Sequence, residues 1–161
     1  MLTPLLALWT VVIAQAPDSA TRARYAAALH SFADSLNAVQ AAAVAFQADL
    51  SMASSDLVLA RARGMRERCG AARRAAQALA ELLAVGGYSA RTRPAEVRAR
   101  RDLARLERVL LKCERDYDTG SATANADTLK AWAPFRLTQL EADLRRHVQG
   151  VQDFQGQAGI R

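Results

Sequence analysis

The chain of 161 residues carries a net charge of +6, is 51% hydrophobic and 6% aromatic, and contains eight glycines and four prolines. This length fits a single domain with one hydrophobic core, and the scarcity of turn-forming residues argues against a protein built from sheets. Alanine supplies much of the apolar content and is the strongest helix former, so we expect an all-α domain.

The first sixteen residues differ from the rest because they contain no charged side chain and include a short apolar run at residues 5–13. That run is too short to span a bilayer, which needs about 20 apolar residues, but it is typical of a signal peptide. Small residues at Ala14 and Ala16 offer cleavage sites. We predict a signal peptide over residues 1–16, a helical domain over 17–155, a flexible tail over 156–161 and a periplasmic or secreted location. The alternative is that this segment begins a cytosolic helix.

Two long stretches then have apolar residues at alternating spacings of four and three, which is the heptad pattern of packed helices. The first helix is predicted to begin after Asp18 or Ser19 and the second to be capped by Ser54 or Ser55, with Gly86 and Gly87 at its end. The expected buried seam of the first helix is Tyr25, Leu29, Phe32, Leu36, Val39, Ala43, Phe46 and Leu50. That of the second is Val58, Ala62, Met65, Cys69, Ala72, Ala76, Leu79 and Leu83.

The second half of the chain predicts two further helices. Thr92 and Pro94 mark the start of the third, and the small polar residues 118–126 form a loop. Asp127 is expected to cap a short turn, and Pro134 either kinks this segment or begins the fourth helix. The third seam contains Leu103, Leu106, Leu110, Cys113 and Tyr117, and the fourth contains Leu137, Leu140, Leu144, His147, Val151 and Phe154.

Four amphipathic helices with short connections predict an antiparallel up-down-up-down four-helix bundle. The alternative is a long helical hairpin that dimerises as a coiled coil, because heptad seams also suit pairing between chains. The heptad spacing of apolar residues does not determine which helices pair, and it is compatible with both a monomer and a homodimer.

The two cysteines of the domain, Cys69 and Cys113, test this arrangement. If the second and third helices are antiparallel neighbours, the cysteines lie 16 and 19 residues from the connecting loop, so that their heights differ by roughly 4–5 Å. Both also lie on inward seams. We therefore predict a Cys69–Cys113 disulfide, which an exported protein can keep; the alternative is two free buried thiols.

Positive charge is concentrated in the middle of the chain. Residues 57–115 contain 15 Lys or Arg and 6 Asp or Glu, a net of +9, whereas the remainder has a net of −3. We predict an anion-binding face at Arg66, Arg73, Arg101 and Arg108, which could attract an anionic envelope component or an acidic protein. The alternative is that these arginines are ordinary solvated heptad flanks. Stacking aromatics do not alternate with the basic residues, so nucleic acid is not an expected partner.

Sequence motifs for catalysis or for cofactor binding are weak. We find no Ser-His-Asp set and no Gly-rich phosphate loop, so we expect neither an enzyme nor a bound cofactor. His147 is a weak candidate for a haem or metal ligand, with His30 or Asp143 as neighbours. Tyr88, Trp132 and Phe135 lie near loops, where we expect them to close the ends of the bundle.

These observations predict an exported, non-enzymatic helical bundle without a membrane span, which acts as an interaction or structural module of the cell envelope through a basic face on its second and third helices. The alternative function is a haem- or metal-carrying bundle that uses His147.

Overall fold

The computed structural model describes residues 19–85, 91–120 and 125–159, which form four α-helices. They are α1 (Ser19–Asp49), α2 (Ser55–Val85), α3 (Arg93–Asp116) and α4 (Ala126–Ala158). Consecutive helices pack against each other along their lengths, so one chain forms an all-α four-helix bundle rather than half of a dimerised hairpin. The predicted signal peptide at residues 1–16 lies outside the described residues. No helix in the described ranges is both long and apolar enough for a bilayer.

The heptad seams form the core. Every predicted seam residue of α2 and α3 is buried, and side chains of all four helices contribute to both halves of the core. In α1 the burial alternates: Tyr25, Phe32, Val39 and Phe46 are buried, whereas the intervening apolar positions stay partly exposed. The reason is that α1 packs closely on α2 but contacts α4 only slightly.

The helix ends differ from the prediction mainly at α4. Asn125, not Asp127, is the N-cap, because its side-chain oxygen accepts a hydrogen bond of 2.7 Å from the Thr128 amide. The helix continues through Pro134, with buried residues on both sides of the proline. It reaches Ala158 and ends at Gly159, whose φ of 64° suits a glycine C-cap. Three residues assigned to the flexible tail therefore belong to α4.

Aromatic contacts mark the two ends of the bundle. At one end Tyr25 and Phe154 join α1 to α4, with ring centroids 5.7 Å apart. At the other, Tyr117 contacts Phe46 at 5.7 Å and Trp132 at 5.3 Å, so Trp132 helps to close that end. Phe135 does not, because 69% of it is exposed. Tyr88 lies outside the described residues.

Candidate functional site

The register of the basic α2–α3 hairpin is set near its middle by Cys69 and Cys113. Their sulfur atoms lie 2.03 Å apart and their Cα atoms 6.1 Å apart, a pairing that spans 44 positions of sequence. Both residues are buried in the core. The two cysteines therefore lie at matching heights along α2 and α3 and on the sides of the helices that face each other, as the seam spacing predicts. Disulfides persist in oxidising compartments, so this pair indicates such a compartment.

The structure separates the four arginines of the predicted anion-binding face into two kinds. Arg73 and Arg66 point along the α2–α3 contact, where each meets an acid. Arg73 Nε lies 3.0 Å from Glu114 Oε2, and Arg66 Nη1 lies 3.4 Å from Asp118 Oδ1. These two arginines are therefore partly neutralised and serve the packing of the hairpin.

Arg101 and Arg108 are exposed and have no acidic partner among the described residues. Arg115 continues the same row, because residues seven apart lie on one side of a helix at intervals of about 10 Å. Arg74 of α2 lies at the height of Arg108, since each is five residues from a cysteine of the bridged pair. We call Arg74, Arg101, Arg108 and Arg115 the basic outer face.

The acids of the hairpin are largely occupied by other contacts. Glu96, Asp102 and Glu114 pair with arginines, while Glu107 accepts a hydrogen bond from Gln77. By contrast, nine exposed arginines of the hairpin have no ion-pair partner in the described ranges. They are Arg63, Arg68, Arg74, Arg91, Arg93, Arg98, Arg101, Arg108 and Arg115. The excess charge of the hairpin therefore faces solvent.

His147 lies between α3 and α4 instead of facing the other histidine. Its Nδ1 atom is 3.6 Å from Asp102 Oδ1, and the two side chains are only 12% and 17% exposed. Arg105 also approaches this carboxylate, at 3.3 Å. Gly150 of α4 leaves room for the Asp102 carboxylate, because a Cβ at residue 150 would lie 3.1 Å from Asp102 Cγ and closer still to Asp102 Oδ2. Sequence reasoning missed Asp102, whose contact depends on the packing of two helices.

His30 is exposed on α1 and pairs with Asp34, its neighbour one turn away, at 3.3 Å. The structure thus gives each histidine a separate carboxylate, and the predicted neighbour Asp143 is not the one that His147 contacts. Within the described part of the chain, no three His, Cys, Asp or Glu side chains are grouped in a way that could hold a metal ion.

A long opening, which we call the α1–α4 furrow, separates residues 26–47 of α1 from residues 137–155 of α4. Two hollows of about 470 and 350 Å³ lie along it and share Ala33, Val148 and Gln152, so they are continuous. Its lining is apolar at Leu36 and Leu144, and its rim is mainly amide side chains. The sequence predicted a closed seam here; the partly exposed positions of α1 are the ones that this opening leaves uncovered.

The chain matches no known protein-family model, and no curated protein or solved structure is significantly similar to it.

Proposed function

We propose that the protein is a non-enzymatic binding module of the cell envelope, whose basic outer face holds a polyanionic envelope component. The observation that carries the proposal is the separation of charge within the hairpin. Glu107 and Glu114 lie in the α2–α3 contact, whereas nine exposed arginines without partners in the described ranges outnumber the two exposed acids of residues 57–115, Glu67 and Glu81.

The spacing of these arginines suits a repeating anion. Arg101, Arg108 and Arg115 form a row of about 20 Å, with Arg74 beside it at the height of Arg108. Each guanidinium presents a planar fork of donors, which binds carboxylate or phosphate oxygens through two parallel hydrogen bonds. A row of such forks is expected to bind a polymer or a surface of closely spaced anions more tightly than a single anion.

The rigidity of the hairpin supports this role. The Cys69–Cys113 pair and the Arg73–Glu114 contact hold α2 and α3 in one register, so the arginines on both helices keep their relative positions. Binding would then cost little conformational entropy in the backbone. The disulfide and the apolar N-terminal segment also support an extracytoplasmic setting, where anionic lipid head groups and acidic polysaccharides are the abundant polyanions.

The test compares two triple variants that remove the same charge. One is R101Q/R108Q/R115Q on the basic outer face. The matched control is R22Q/R24Q/R146Q, which changes three exposed arginines of α1 and α4. Binding to vesicles that contain phosphatidylglycerol, and to a sulfated polysaccharide, is measured at several salt concentrations.

We expect the first variant to bind about 100-fold more weakly at low salt, since each arginine near an anionic surface contributes about 1 kcal/mol. The control should lose less than about tenfold, because only its long-range charge contributes. Equal losses in the two variants would mean that net charge, not this face, governs binding. No binding to either probe by the wild-type protein would refute the proposal.

A further inference from the structure

We infer that the polyanion held by the basic outer face is the surface of an anionic lipid bilayer, against which α3 lies with its axis parallel to the membrane. This partner rests on the proposed function, because the same arginines make the contact. It adds to them a set of apolar side chains that enter the bilayer surface.

The first support is the distribution of charge around α3. Eight Lys or Arg side chains of this helix are exposed, whereas its five acids are all partly buried. Three of the acids also meet a cation of the same helix, as in the 3.3 Å contact between Asp102 and Arg105. An anionic surface that approaches α3 therefore meets positive charge alone. The five acids are Glu96, Asp102, Glu107, Glu114 and Asp116.

The neighbouring helix α2 is less suited to this contact. It exposes Glu67 and Glu81, and Glu67 lies one turn from Arg63 and therefore beside it. An anionic bilayer would repel both carboxylates. We therefore expect α3 to form the centre of the contact, with Arg74 of α2 at its edge.

The second support is a set of apolar residues that alternate with the arginines of α3. Residues 97, 104 and 111 are seven apart, as are 101, 108 and 115, and the two sets are offset by three or four positions, so they are neighbours on one side of the helix. That side is opposite the buried seam, because Arg108 is two residues, or about 200° of helix rotation, from both Leu106 and Leu110. The six residues span about 27 Å along the helix. We call them the α3 outer row: Val97, Arg101, Ala104, Arg108, Leu111 and Arg115.

The apolar members of the α3 outer row favour a lipid bilayer over a polysaccharide. Val97 is 48% exposed, Ala104 is exposed and Leu111 is partly exposed. Binding at a membrane is strengthened by apolar side chains that enter the boundary between head groups and acyl chains, and by attraction of cations to anionic lipids. A hydrated polysaccharide offers the anions without the apolar layer. The arginines suit a bilayer as well, because their apolar stems pack on it while the guanidinium groups reach the head groups.

Two variants that change only the apolar content of the α3 outer row test the inference, with phosphatidylglycerol vesicles and a sulfated polysaccharide as probes. V97S should weaken vesicle binding about threefold, since the exposed half of the valine no longer enters the bilayer, and A104L should strengthen it about fivefold. Both should change polysaccharide binding by less than about twofold, because the charge is unaltered.

The matched controls are V44S and A41L, which change exposed residues of α1, a helix that does not contact α3 in the described part of the chain. Both controls should leave vesicle binding within about twofold of wild type. Tryptophan fluorescence gives an independent readout. Phosphatidylglycerol brominated on its acyl chains should quench the emission of V97W more than that of V44W, because only the first new indole enters the bilayer. Circular dichroism confirms that each variant is folded.

The outcomes separate this inference from the proposed function. Wild-type protein that binds the polysaccharide but not the vesicles would overturn the lipid partner and leave the basic outer face as a binding surface. So would V97S and A104L variants that bind vesicles as wild type does, even where R101Q/R108Q/R115Q weakens binding to both probes. Equal losses in that triple variant and in its charge-matched control would remove the proposed function, and the lipid partner with it.

Discussion

Replacing Gly150 with alanine should destabilise the protein, although glycine-to-alanine changes inside helices usually stabilise. An alanine in a helix interior gains about 1 kcal/mol over glycine. At this position, however, the new Cβ would lie 3.1 Å from Asp102 Cγ and closer to its carboxylate oxygen. Asp102 is a short side chain held between His147 and Arg105, so the clash must move the carboxylate or separate α3 from α4. Overpacking of this kind costs about 1–3 kcal/mol, so after the gain from alanine we expect a net loss of up to about 2 kcal/mol.

Gly64 supplies the matched control, because nothing lies within 4 Å of a Cβ built there. G64A should therefore stabilise the protein by about 1 kcal/mol. In a D102A background the obstacle is absent, and G150A should become stabilising as well. Urea unfolding followed by circular dichroism gives the four free energies of this double-mutant cycle. If G150A stabilised the wild-type chain as much as G64A does, the close contact between Asp102 and α4 would be wrong.

Three further predictions concern stability. Reducing the Cys69–Cys113 pair should lower the free energy of unfolding by about 4 kcal/mol, which is the chain-entropy value for a bridge across 44 positions. Urea unfolding with and without reductant measures this loss. Two thiols that react with an alkylating agent in the native protein would contradict the bond. Burial, followed by the charge of Asp116, raises the pKa of Tyr117 in the folded protein. The preference of the folded state for the neutral Tyr117 side chain should therefore stabilise the protein fully below about pH 10, and this stabilisation should be lost as the pH rises further. The buried Tyr117 hydroxyl has no hydrogen-bond partner among the described residues. Y117F should therefore be no less stable at pH 7 and should reduce this alkaline loss, as thermal melts at several pH values would show. N125A should cost about 1 kcal/mol through loss of the α4 cap, measured by the same melts.

Much of the fold could be predicted from the spacing of apolar residues. The seams of α2 and α3 are buried at every predicted position, because each of these helices has close neighbours on both sides. The same regularity carried the cysteine prediction: Cys69 and Cys113 occupy seam positions whose heights follow from helical rise alone. Here local periodicity and tertiary packing agree, so simple geometry was sufficient.

The uncovered side of α1 could not be predicted from the same pattern. Leu29 and Leu36 recur with the same spacing as Tyr25 and Phe32, yet they remain partly exposed. Periodicity shows which side of a helix is apolar but not how closely the next helix approaches. How closely α1 approaches α4 depends on tertiary packing, which single-sequence reasoning does not describe.

The candidate site shows a similar division. Composition located the basic hairpin, but it could not separate Arg73, which pairs with an acid 41 residues away, from Arg108, which has no such partner in the described ranges. The contact of His147 with Asp102 was missed for the same reason, since it links two helices whose relative rotation the sequence leaves undetermined. Predicting an ion pair between two helices requires their relative register and rotation, and only the structure supplies these.

The order of the helices has a consequence for how the chain folds. Each extensive contact among the described helices joins neighbours in sequence, while the contact between the first and last helices is slight. Contact order is consequently low, and the entropic penalty of closing long loops during assembly is small. We expect the reduced chain to refold within milliseconds, with each helix docking on its neighbour in sequence.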